Sequence, residues 1–198
     1  MGARSHGLPP VVLASASPRR AQLLRECLPE FRVVAGAIPE IHNEQLTASE
    51  AALINSCRKA RHVAARHPDA LVLGADTLVS LGTRLFGKPA DLLEARGMLR
   101  ELSGQTHQVV TAICLVQASA RRERRLVEAT EVTFRELDDD LITRYLGGMD
   151  PLDKAGAYAI QEHGELIVER ISGSFTNVVG LPVERLREEL ARWEMACA

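Results

Sequence analysis

The chain has 198 residues, 46% hydrophobic and 25% charged, the composition of a globular chain long enough for one good-sized domain or two tightly joined lobes rather than a disordered one. A net charge of −2 excludes a global positive field for nucleic acid, and 4% aromatic residues are too few for base-stacking platforms. No apolar stretch approaches the roughly 20 residues of a membrane span, so no membrane contact is expected.

Residues 11–14 (Val11-Val12-Leu13-Ala14) form an apolar run that reads as a short buried strand. Ser17 follows as a helix N-cap with Pro18 at the first helical position, and Leu23 and Leu24 begin the apolar face of that helix. Residues 31–35 read as a second strand. Thr47-Ala48-Ser49-Glu50 has the pattern of a capping box, and Leu53, Cys57, Ala60 and Ala64 continue at helical spacing. Residues 71–79 give the strongest strand signal, apolar enough to be buried on both faces. Residues 86–89 read as a loop, and Asp91 caps a helix whose inner face carries Ala95, Met98, Leu99 and Leu102.

Residues 108–116 read as a strand, the charge run 121–125 as a solvated hairpin tip, and residues 126–134 as the return strand. The apolar alternation of that return strand changes phase midway, which suggests a bulge. Residues 138–146 form a short helix with an acidic first turn. Residues 157–160 and 165–171 read as a final pair of strands, and Val183, Leu186, Leu190 and Trp193 lie on one side of a last helix. Helices alternate with strands early and strands pair as hairpins late, which predicts a mixed-sheet α/β fold. Residues 11–198 are read as a single domain behind an N-terminal extension, residues 1–10, that is too short and polar for a signal peptide.

Several residues carry possible chemistry. Arg19 and Arg20 fall in the first turn of a helix, where the partial positive charge disfavours cations unless an anion also binds. Free backbone N–H groups, serine hydroxyls and arginine forks would together make a phosphate pocket there; solvated surface arginines are the alternative. Asp76 interrupts the most apolar strand, and a buried carboxylate is costly unless it is paired, hydrogen-bonded or metal-bound. It reads as catalytic, the alternative being a structural Asp that accepts backbone hydrogen bonds. Glu40 is a candidate second oxygen ligand for Mg²⁺ or Mn²⁺, or an exposed loop acid. Lys59, Lys88 and Lys154 each could reach a ligand from a helix or loop. The chain has no G-x-x-x-x-G-K-[ST], no G-x-G-x-x-G and no G-x-S-x-G. His42, His62, His67, His107 and His163 show no metal-binding spacing. Cys27, Cys57, Cys114 and Cys197 show no C-x-x-C, which weighs against zinc and fits buried thiols in a reducing cytoplasm.

Six ordered blocks carry a family resemblance. They are residues 13–20 (Leu13 to Arg20), Gly74-Ala75-Asp76-Thr77, Gly87-Lys88-Pro89, residues 102–107 (Leu102 to His107), residues 153–158 (Asp153 to Tyr158) and residues 177–182 (Asn177 to Pro182). In these the chain resembles the Maf family of nucleoside triphosphate pyrophosphatases. The resemblance implies an elongated α/β fold with a mixed, twisted sheet and a cleft between two lobes. It implies divalent-metal-dependent hydrolysis of a nucleoside triphosphate to the monophosphate and pyrophosphate, with Asp76 as general base and Glu40 helping to hold the metal. Ser15, Arg20, Lys59, Lys88 and Lys154 match positions associated with the triphosphate or metal. Arg19, Thr77 and Gln161 match the specificity set, in the combination of the dTTP/UTP branch rather than the Trp/Gln/Glu of the 7-methyl-GTP branch. Glu162-His163 follow Gln161 where a Gly is common in the family. Family members are commonly homodimers. The rival expectations are the same chemistry on another nucleotide, such as 7-methyl-GTP, and a non-catalytic nucleotide-binding or cell-division regulator.

Overall fold

The computed structural model describes residues 7–36, 38–41, 43 and 45–195. His42, Cys197 and the first six residues of the N-terminal extension lie outside the described residues. A seven-stranded mixed sheet forms the frame. Strand β1 (Val11–Leu13) pairs in parallel with β2 (Arg32–Val33) on one side and β3 (Leu71–Leu81) on the other. Antiparallel pairs then join β3 to β5 (Thr106–Gln117), β5 to β6 (Arg122–Phe134) and β6 to β7 (Val168–Ser172). The short strand β4 (Arg84–Phe86) returns along the far end of β3.

Helix α1 (Pro18–Arg25) starts as the sequence predicts: Ser17 Oγ accepts from the Arg20 N–H and proline occupies the first turn. Helix α2 (Ala48–Ala64) starts on a complete capping box, Thr47 with Glu50. It lies against the sheet face that carries Val72, Gly74 and Cys114. On the opposite face there are two cores. One joins Leu71, Leu73 and Ala75 to α1 and to α7 (Val183–Met195). The other joins Val79, Val109 and Val132 to α3 (Leu92–Leu102) and α4 (Asp139–Gly147). These two cores are the lobes expected from the resemblance.

The structure corrects several local expectations. Only Arg32–Val33 of residues 31–35 is a strand, because β2 is an edge with β1 as its single partner. Residue 86 ends β4 rather than opening a loop; Gly82, at φ 59°, supplies the left-handed position of the β3–β4 turn. The charge run is not a hairpin tip. The turn is residues 118–121, and Arg122 to Arg125 already pair with β5. The phase change in β6 is not a mid-strand bulge, since the β5–β6 register runs unbroken from Thr106–Thr133 to Gln117–Arg122. It reflects cover on both faces: Leu126 packs into one core while Val127 packs toward α2. The irregularity lies at Thr133/Phe134, where β6 meets β7.

Residues 157–160 are not a strand. A 3₁₀ turn (Ala155–Ala157), with Gly156 at φ 70° and Ala157 at φ 61°, is incompatible with extended pairing. A short helix α5 (Gly164–Ile167) replaces the start of the expected final strand, and a further short helix, α6 (Phe175–Val179), precedes α7.

Candidate active site

A cleft of about 500 Å³ opens where the sheet changes partner. β1 accompanies β3 only as far as Leu13–Leu73, and β4 joins only from Val79. Between them, the edge of β3 over residues 74–78 lacks a parallel neighbour, because the chain leaves at Ala14 to enter α1. A crevice beyond the carboxyl ends of parallel strands, where neighbouring connections diverge, is where open α/β sheets bind ligands. Asp76 and Thr77 sit in this gap and line the cleft.

Asp76 is 3% exposed and points to the α2 side. Its Oδ1 accepts from Lys59 Nζ at 2.6 Å, and its Oδ2 accepts from Asn55 Nδ2 at 3.2 Å. Asn55 and Lys59 are four residues apart on α2, hence on one face. The same ammonium donates to Glu40 Oε1 at 2.6 Å. Asn55 also fixes the segment bearing Glu40, exchanging hydrogen bonds with the backbone of Ile41 at 2.8 and 3.2 Å. Burial is the largest influence on Asp76 and raises its carboxyl above the usual range, against the opposing charges of Lys59 and Arg20. Burial also works against ionising Glu40, but the hydrogen bond and charge of Lys59, with the charge of Lys88, carry it below its ordinary value.

Two hard carboxylate oxygens thus converge on one point, which the ammonium occupies. That donor chemistry suits Mg²⁺ or Mn²⁺, which take one or two carboxylates and complete their shell with water and phosphate. Among the described residues, the one group of three potential ligands is Cys57, Cys114 and Glu123, none of which lines the cleft.

Arg20 closes the gap in β3. Its Nη1 donates to the Ala75 carbonyl at 3.0 Å, satisfying a strand acceptor that has no parallel neighbour, and to Ser15 Oγ at 3.3 Å. Its Nε donates to the Gly180 carbonyl at 2.9 Å and its Nη2 to Thr77 Oγ1 at 2.8 Å. Four of its five N–H groups are therefore used within the protein, and its charge acts on Asp76 and Glu40 across the cleft. Thr77 Oγ1 also shares a 3.0 Å hydrogen bond with Thr111.

Arg19 reaches across the cleft mouth to Asp153 at 3.0 Å. Lys154 is buried, donating to the Asp150 carbonyl at 2.6 Å and to Asp153 Oδ1 at 2.7 Å, with Glu162 at 3.4 Å. Gln161 and Lys88 line the cleft and are exposed. All ten site residues named from the sequence line this one cleft.

The family described as Maf-like protein matches residues 10–193. The chain belongs to the Maf family. A dTTP/UTP pyrophosphatase of Akkermansia muciniphila is 46% identical over 176 residues, spanning 89% of this chain and 92% of the relative. Another of that name, from Carboxydothermus hydrogenoformans, is 43% identical over 185 residues, 92% of this chain and 98% of the relative. In fold, the Maf chain resembles a HAM1 protein from Coxiella burnetii, with a TM-score of 0.51 at 18% identity over 93% of this chain and 100% of that one.

The Maf cleft also uses residues that sequence reasoning passed over. Asn55 orients both Asp76 and the Glu40 segment, and its signal was a polar amide one helical turn before Lys59. Asp153 anchors Arg19, and Tyr158 contributes a buried ring to the cleft wall. Asn177, fully buried, donates to the Val109 carbonyl at 3.0 Å and to Thr130 at 2.9 Å, and so ties α6 to the sheet behind Thr111.

Proposed function

We propose that this chain hydrolyses dTTP and UTP to the nucleoside monophosphate and pyrophosphate, using Mg²⁺ or Mn²⁺. The observation that carries this reading is the meeting of Asp76 and Glu40 on one cationic point within a cleft that also holds loop and helix-start cations. Relatives that are 40–46% identical and named dTTP/UTP pyrophosphatase support the substrate class.

Asp76, raised by burial, is suited to accept a proton from water as its oxygen attacks the α-phosphorus. The new P–O bond forms as the bond to the bridging oxygen breaks, and pyrophosphate departs. Asn55 holds one Asp76 oxygen and thereby fixes the orientation of the other. Lys88 and the N–H groups opening α1 face the negative charge that grows on the leaving group. The metal, held by Asp76 and Glu40, would lower the charge on the phosphates. Gln161 has both a donor and an acceptor for the O4/N3–H edge of uracil or thymine, with Arg19 and Thr77 beside it. Cytoplasmic location and a homodimer belong to the same reading.

The test is product analysis with dTTP, UTP, CTP, GTP and 7-methyl-GTP in the presence of either metal. Pyrophosphate with dTMP or UMP is expected. Turnover of 7-methyl-GTP alone overturns the specificity residues, and binding without turnover replaces the enzyme with a nucleotide-binding regulator.

A further inference from the structure

Away from the cleft, α2 and the sheet bring together two cysteines that are 57 residues apart in sequence. The Sγ atoms of Cys57 and Cys114 and a carboxylate oxygen of Glu123 all lie within 4.8 Å of one another. The approach is close because α2 rides directly on β3 here. A Cβ on Gly74 would meet the Ser56 carbonyl at 2.3 Å, and Gly74 is the cross-strand partner of Cys114. Arg125, the partner of Cys114 on β6, and Arg61, one turn after Cys57 on α2, bring two guanidinium groups to the cluster.

Those arginines decide between two chemistries. Arg61 grips both Glu123 oxygens at 2.8 Å and Arg125 donates to one of them at 2.5 Å, so the carboxylate is already engaged by cations. A metal ion would have to displace them and sit among positive charges. A thiolate, in contrast, is favoured by the same surroundings. We propose that Cys57 and Cys114 form a reversible dithiol–disulfide site that reacts with hydrogen peroxide.

The hydrogen bond with Cys114, together with Arg125 and Arg61, draws the Cys57 thiol down to about 7, against burial and Glu123. Val12 and Val72, which pack against the pair from β1 and β3, bring no charge. Cys57 is 5% exposed and Cys114 is closed off, which suits a small diffusible oxidant rather than a bulky disulfide. The Cys57 thiolate attacks one peroxide oxygen; an S–O bond forms, the O–O bond breaks, and the departing hydroxide leaves as water after gaining a proton. Cys114 then attacks the Cys57 sulfur. The S–S bond forms, the S–O bond breaks, and the second hydroxide leaves as water with the Cys114 proton. Two thiols are oxidised by two electrons and one peroxide becomes two waters. The sulfurs must close to about 2.05 Å, fastening to β5 the stretch of α2 that presents Asn55 and Lys59.

The full chain, treated with hydrogen peroxide and then alkylated, should give a peptide pair linked through Cys57 and Cys114 and lighter by two hydrogens, with Cys27 still alkylated. Dithiothreitol should restore both thiols. Cys57→Ala and Cys114→Ala should each abolish the link while keeping the thermal unfolding transition. Three results overturn the assignment: both thiols still alkylated after peroxide, sulfinic or sulfonic acid at Cys57 with Cys114 untouched, or zinc retained stoichiometrically by the reduced chain and lost in both variants. The readout is a mass, so it stands or fails independently of nucleotide hydrolysis.

Discussion

Asp76 carries both a cost and a role. A buried carboxylate persists because Lys59 and Asn55 each engage one oxygen, and the same contacts fix its direction toward the cleft. Asp76→Asn keeps the shape and removes the proton acceptor of the proposed reaction. Pyrophosphate release should fall by at least about 10²–10⁴-fold while the thermal unfolding transition persists; near-normal turnover would remove Asp76 as base. Asp76 was legible because a charge inside an apolar strand is anomalous. Asn55 was not, because a single amide on a helix has no such contrast until the fold sets it against Asp76. The internal use of Arg20 was also hidden: its acceptors at Ala75 and Gly180 are backbone carbonyls with no sequence signature. Gln161 tests base reading. Gln161→Glu loses the donor and should lower kcat/KM for dTTP and UTP by about 10–100-fold, the worth of one or two hydrogen bonds. The metal concentration giving half-maximal rate should not move. Equal pyrimidine rates in both proteins would exclude Gln161 from base reading.

Helix α2 joins chemistry to fold, since it supplies Asn55 and Lys59 to the cleft and, between them in sequence, Cys57 to its contact with β5. Its position depends on Gly74. An added Cβ there would lie 2.3 Å from the Ser56 carbonyl, 2.7 Å from Ala60 N and 2.9 Å from Ala60 Cβ. Backbone atoms cannot yield, so Gly74→Ala must lift α2 from β3. We expect a loss of at least about 1–3 kcal/mol in urea unfolding, together with a drop in activity as Lys59 moves from Asp76. Gly97→Ala provides the control: the added Cβ meets nothing within 4 Å inside α3 and should stabilise by roughly 0.5–1 kcal/mol. A Gly74→Ala chain as stable as the parent would show that the helix is not held at this contact. Capped helices and long strands were readable in sequence because caps and periodicity are local. The short elements β4, α5 and α6, and the turn at Ala157, were not, because each is too short to carry a period of its own. Gly156, for example, donates to the Gly87 carbonyl at 3.0 Å, binding the Lys88 loop to the Lys154 segment.

The two cores on one sheet face meet at the cleft, so the stability of either core bears on its geometry. The second core contains His107, 1% exposed, whose Nε2 pairs with Tyr158 Oη at 2.8 Å and whose ring packs edge-on against Phe134. Its Nδ1 has no hydrogen-bond partner among the described residues. Burial lowers the His107 pKa from 6.5 to about 4, so the imidazole is neutral in the folded chain. Between these values the unfolded chain binds a proton that the folded chain refuses, and stability rises with pH. The contribution is complete above about 6.5 and is lost as pH falls through about 4. That separation corresponds to about 3 kcal/mol. His107→Gln keeps a partner for Tyr158 but does not titrate. Urea unfolding at about pH 7 and about pH 4.5 should show the parent losing roughly 2–3 kcal/mol more than the variant on acidification. Equal losses would place the acid sensitivity elsewhere. Because Tyr158 lines the cleft and follows the Lys154 turn, protonation of His107 would also loosen the wall of the site opposite Asp76. The parent should therefore lose nucleotide affinity over the same acidic window more steeply than His107→Gln, measured as the Kd of a non-hydrolysable dTTP analogue.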